Sequence, residues 1–173
     1  MELTKYNACI CEGTAEQIII NLLLDNDKLI FTRDMLIEHD VLRCRSGKKF
    51  EEQYLRKGFT EKITVFRILD SRNENFKISK AYAHKVKVIN VITAPEIEML
   101  VIFNEGKYVD FKKSGKKPSE FCKVDLKFSD VKSAGFVKSY FSDINILIKA
   151  IQEYKRVSDI KANEVTLADI LVI

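Results

Sequence analysis

Ala8-Cys9-Ile10-Cys11-Glu12-Gly13-Thr14-Ala15-Glu16 is the stretch on which the fold turns. Its apolar beginning suits a short buried strand, which Glu12-Gly13 stops. Thr14 is then placed to cap a helix that carries Ile18, Ile19, Leu22 and Leu23 at helical spacing. A strand, a tight turn and a helix in immediate succession are the repeating unit of an α/β domain.

Working outward, Ile63 to Leu69 is rich in β-branched and aromatic residues and runs into Asp70-Ser71-Arg72-Asn73-Glu74, so a buried strand delivers a carboxylate to a loop. Val86 to Ile92 is a further strand candidate. Pro95 then opens a helical pattern with Ile97, Leu100 and Val101 on one side, and Gly106 is a plausible stop. Leu29-Ile30-Phe31 suggests another strand, while Lys48 to Lys57 has helical propensity but carries enough charge to lie on the surface. Asp143 to Arg156 places Ile144, Leu147, Ile148 and Ile151 on one helical face, and a short helix around Leu167 to Leu171 closes the core. Near-continuous apolar strands alternating with helices predict a mostly parallel sheet with helices on both faces. In such sheets ligands bind beyond the carboxyl ends of the strands.

Composition sets the bounds. A chain of 173 residues, 46% hydrophobic and 31% charged, fits one globular domain that buries its core without staples. With two prolines, six glycines and no Ser/Gly/Pro-rich stretch, residues 1–173 are expected to form a single domain. No apolar run can cross a bilayer, and the first residues lack the basic segment and apolar core of a secretory signal, so a cytoplasmic protein with no membrane partner is expected. Cys9, Cys11, Cys44 and Cys122 show no framework spacing, and Cys9 and Cys11 share one face of an apolar strand, where cysteine acts as core. His39 and His84 lack a partner motif, and no Gly-rich phosphate loop or Gly-x-Ser-x-Gly turn occurs, which sets aside triad hydrolases and P-loop triphosphatases.

Three segments end a strand with an acid nearby: Glu12, Asp70, and Glu96 with Glu98 just past Ile92. Carboxylates crowded at one sheet edge repel one another unless a hard cation such as Mg²⁺ bridges them or a proton relieves the charge. The plain alternative is that they are solvated turn residues. The basic run Lys112-Lys113-Ser114-Gly115-Lys116-Lys117 reads as a flexible stretch able to contact phosphates, or as a solvated loop. Tyr108, Phe111 and Phe121 flank it, as core or as stacking platforms for bases. A net charge of +4 does not by itself mark a nucleic-acid binder.

Ile10-Cys11-Glu12-Gly13-Thr14-Ala15-Glu16 resembles the first motif of TOPRIM-type domains, in which a strand ends in Glu-Gly and a helix follows. Phe66-Arg67-Ile68-Leu69-Asp70 is similar to the strand carrying that family's Asp-x-Asp motif, with Arg72 where the second acid stands and Glu74 two positions further on. Ala94-Pro95-Glu96-Ile97-Glu98 resembles the Asn-Pro-x-Phe-Glu segment of the RloB-like branch, with Pro95 and Glu98 in place, Ala94 for Asn and Ile97 for Phe. The resemblance spans about residues 8 to 104, and residues 105–173 add no motif.

The resemblance implies a TOPRIM-like fold and a Mg²⁺-dependent nuclease, or a nuclease-derived component, of bacterial anti-phage defence, with an ABC-type ATPase partner. Glu12, Asp70 and Glu98 would then be catalytic and metal-binding. Read from residue type alone, Arg72, Lys112, Lys113, Lys116 and Lys117 are the expected contacts to nucleic acid. A guanidinium at Arg72, where a metal-binding carboxylate is expected, repels a cation. The second expectation is therefore a catalytically inactive α/β interaction module that binds a partner protein or nucleic acid.

Overall fold

The computed structural model describes residues 3–56, 60–70, 76–93, 97–158, 160–161 and 163–172. Three parallel strands, β1 (Tyr6–Cys11), β2 (Ile63–Leu69) and β3 (Val86–Ile92), lie side by side in that order. The register aligns Cys11 with Ile68 across β1 and β2, and Ile68 with Val91 across β2 and β3. Every residue of β2 is buried, as a central parallel strand covered on both faces requires.

Alternation along the strands sorts two cores. Cys9, Cys11, Phe66, Ile68, Ile89 and Val91 face the larger one, built with α1 (Thr14–Asp25) and the helices of the carboxyl-terminal half. Ala8, Ile10, Ile63 and Val65 face a smaller one, closed by Leu42, Cys44, Phe50 and Leu55. The segment expected on the surface thus supplies core: α2 (Gly47–Phe50), continued by a wider π turn over Glu51–Leu55, buries Phe50 and Leu55 while its lysines stay exposed.

Beyond β3 come α3 (Glu98–Asn104), α4 (Tyr108–Ser114), α5 (Pro118–Val124), α6 (Ala134–Tyr140) and α7 (Ile144–Val157). Asp143 caps α7 by accepting from the Asn145 N–H, and Thr166 with Asp169 forms a reciprocal capping box on the final 3-10 turn, Leu167–Ile170. Gly106, at φ 66°, ends the α3 turn in the left-handed region that glycine adopts without a Cβ penalty.

Leu29-Ile30-Phe31 is not a strand of the sheet; Leu29 makes a single antiparallel bridge to Leu171, and the Ile30 N–H donates to Ile170. Thr14 does not cap α1 either: Gly13 is the N-cap residue and no side chain bonds the helix end. Outside the three strands, β1 is bridged by the segment 36–42 at Leu36 and Leu42, and β3 is bridged near its carboxyl end by Val165. Among the described residues no helix is long and apolar enough to cross a membrane.

Candidate functional site

An ion pair between a buried arginine and a half-buried glutamate sits at the carboxyl ends of the strands. Arg67, in the middle of the central strand, is 1% exposed, and its Nη2 lies 3.0 Å from Oε1 of Glu12 at the end of β1. The guanidinium carbon stands 4.7 Å from the centre of the Phe76 ring, a cation–π contact on the smaller-core side. Arg67 shares the inward parity of Ile63 and Val65, and its desolvation is tolerable because the charge is paired and stacked.

Glu12 opens onto a cleft of about 320 Å³ lined by Arg43, Arg45, Ser46 and Lys49. Arg43 is held there by a neutral acceptor, Gln17 Oε1, at 2.9 Å from Nε and 2.7 Å from Nη2, so its position is fixed while its charge is kept. Arg45 and Lys49 are exposed at the mouth. With Glu12 neutralised from below by Arg67, the cleft presents net positive charge.

On the other face of the sheet lies a second group of charges. The Glu16 carboxylate folds back toward the start of its own helix, where a Cβ on Gly13 would collide with it. Burial pushes the Glu16 carboxyl above its usual range and the Asp70 charge adds to this, while its own backbone N–H and Lys132 pull it down. Lys132 also contacts the buried Glu98, Nζ to Oε1 at 3.3 Å. Cys122 donates to the Glu98 carbonyl over 3.7 Å, and its thiol is pushed up to about 12 by burial first and by the Glu98 charge second.

The three expected ligands are therefore divided. Glu12 belongs to Arg67, Glu98 to Lys132, and exposed Asp70 neighbours Glu16. Among the described residues no group of three or more His, Cys, Asp or Glu side chains could hold a metal ion, so Glu12, Asp70 and Glu98 are not gathered with one another as the ligands of a shared Mg²⁺. Glu12 and Glu98 are each served by a protein cation instead.

Arg72, Glu74, Pro95 and Glu96 lie outside the described residues. The basic run is not a loose loop: Lys112 and Lys113 form the last turn of α4, Gly115 turns the chain at φ 65°, and Lys116 pairs with Asp125 at 2.6 Å. Lys117 is exposed and precedes α5. Tyr108 stacks on Phe103, and Phe111 meets the buried Phe121 edge-on, so these aromatics are core. All four cysteines are buried and free.

Arg67, Arg43, Glu16 and Lys132 escape a motif search. Arg67 alone leaves a local signal, a charge at an inward position of an otherwise apolar strand. Compared with known protein families, curated proteins and solved structures, the chain matches none.

Proposed function

We propose that this protein is a nuclease-derived, TOPRIM-like module of bacterial anti-phage defence that binds nucleic-acid phosphates at its strand ends and does not cut them. The carrying observation is the pairing of Glu12 with the buried Arg67 beneath a cleft lined by Arg43, Arg45 and Lys49. The leading carboxylate of the resemblance is committed to a guanidinium, and the cations above it suit phosphate oxygens. The resemblance adds an ABC-type ATPase as the partner beside which such a module would act.

A labelled single strand, a duplex and a tRNA, titrated by fluorescence anisotropy with Mg²⁺ and again with chelator, test this. Binding is expected to be equal in both, to weaken with salt, and to leave the nucleic acid intact on a denaturing gel. Replacing Arg43 and Lys49 together by glutamine should flatten the salt slope by about one for each phosphate no longer neutralised. Metal-dependent cleavage that disappears in Asp70→Ala would overturn the proposal in favour of a Mg²⁺ nuclease using Glu12, Asp70 and Glu98.

A further inference from the structure

A second, larger cleft, about 470 Å³, opens at the other end of the sheet, where β1 begins at Tyr6 and β2 at Ile63. Its origin lies in the covering of the β1 edge. Leu36 bridges Asn7 and Leu42 bridges Ile10, so the outer chain spends six residues where β1 spends three; Glu38 and His39 are thrown outward while Ile37 packs back against the smaller core. Glu38 and His39 both take left-handed backbone, φ 63° and 54°, a conformation costly for residues other than glycine and concentrated at functional sites. The opposite wall is Gln53 and Tyr54, on the π turn, another irregularity frequent at such sites.

The lining combines apolar, aromatic and acidic side chains, with the exposed His39 imidazole beside them. Leu36, Leu55 and Ile63 form a buried apolar floor, Tyr6 and Tyr54 bring two rings, and Asp34 and Glu38 bring two exposed carboxylates. Burial and the Glu38 charge keep the Tyr54 phenol protonated. The Tyr6 ring already draws a cation: Lys5 Nζ lies 5.1 Å from its centre.

We infer that this cleft receives an arginine side chain of a partner protein, its aliphatic stem on the apolar floor and its guanidinium between the tyrosine rings and the Asp34 and Glu38 carboxylates. A planar guanidinium both stacks on aromatic faces and bonds carboxylates, which a compact ammonium does less well. The site is separate from the strand-end cleft and independent of what binds there.

Titration of the ¹⁵N-labelled protein with a short Gly-flanked arginine peptide, followed by NMR, tests the inference. Shifts are expected at residues 37–39 and at Tyr54. The same peptide with citrulline, isosteric and neutral, should bind at least about tenfold more weakly, as should Glu38→Gln with the arginine peptide. Equal binding of the citrulline peptide, or shifts confined to other surfaces, would overturn it.

Discussion

Arg67 and Glu12 form an ion pair that joins the middle of the central strand to the end of its neighbour. The sign of its energetics separates two kinds of protein. In a metal site, removing one crowded carboxylate relieves repulsion and raises the stability of the metal-free fold. Here it would strand a buried guanidinium, so Glu12→Gln should cost about 3 kcal/mol in urea denaturation, and Glu12→Leu with Arg67→Met should cost less than the two single changes summed. A Glu12→Gln protein as stable as wild type would show that the pair contributes nothing.

Glu16 makes stability depend on pH. Its carboxyl sits above the unfolded value, chiefly by burial and secondarily through Asp70. Between the unfolded and folded values, the folded chain keeps a proton that the unfolded chain has released, so this group's contribution to stability falls as pH rises through that window. The Tm of wild type should therefore drop relative to Glu16→Gln as pH increases above the ordinary glutamate range, and the gap should level off once both states are ionised. Parallel Tm profiles would show that Glu16 is solvated. Gly13→Ala, which displaces the Glu16 carboxylate, should shrink the same gap.

The four thiols should be inert in the folded protein. Burial raises Cys11 well above the ordinary thiol value, with Cys9 and Glu16 adding to it, and it holds Cys122 near 12. Since the thiolate is the reactive form, a chromogenic disulfide reagent should titrate no thiol at neutral pH and all four in denaturant. Rapid reaction of any one in the native state would place that cysteine at the surface.

Much of this was legible in the sequence because it is local. The strands Ile63–Leu69 and Val86–Ile92 and the helix Ile144–Val157 follow from residue type and period alone, and the cap on α7 is worth about 1 kcal/mol, which Asp143→Ala should remove in thermal unfolding. The division of the acids was not legible because it depends on register. Cys11 pairs with Ile68, so Glu12, one residue past Cys11, takes one face, and Asp70, two residues past Ile68, takes the other. The same is true of Leu29 to Phe31, whose partners lie at the far end of the chain.

The roof over Arg67 is itself clamped, and the clamp can be loosened without removing a charged side chain from the strand-end cleft. Buried Glu51 accepts from the Ser79 N–H at 2.5 Å and from its hydroxyl at 3.0 Å. Gly47, four residues earlier, lies so close to the Lys77 backbone that a Cβ would collide with its carbonyl. Together they hold residues 76–79 against α2 and its π turn, and so hold Phe76 over the Arg67 guanidinium. Glu51→Gln weakens the charge-assisted bonds and should cost about 1 to 2 kcal/mol. Gly47→Ala forces backbone apart where no side chain can yield, and should cost at least as much. If Phe76 and the Glu12 pair act together on Arg67, both variants should also weaken phosphate binding at the strand-end cleft, although neither removes a cation from it. Loss of stability with unchanged nucleic-acid affinity would confine the clamp to folding.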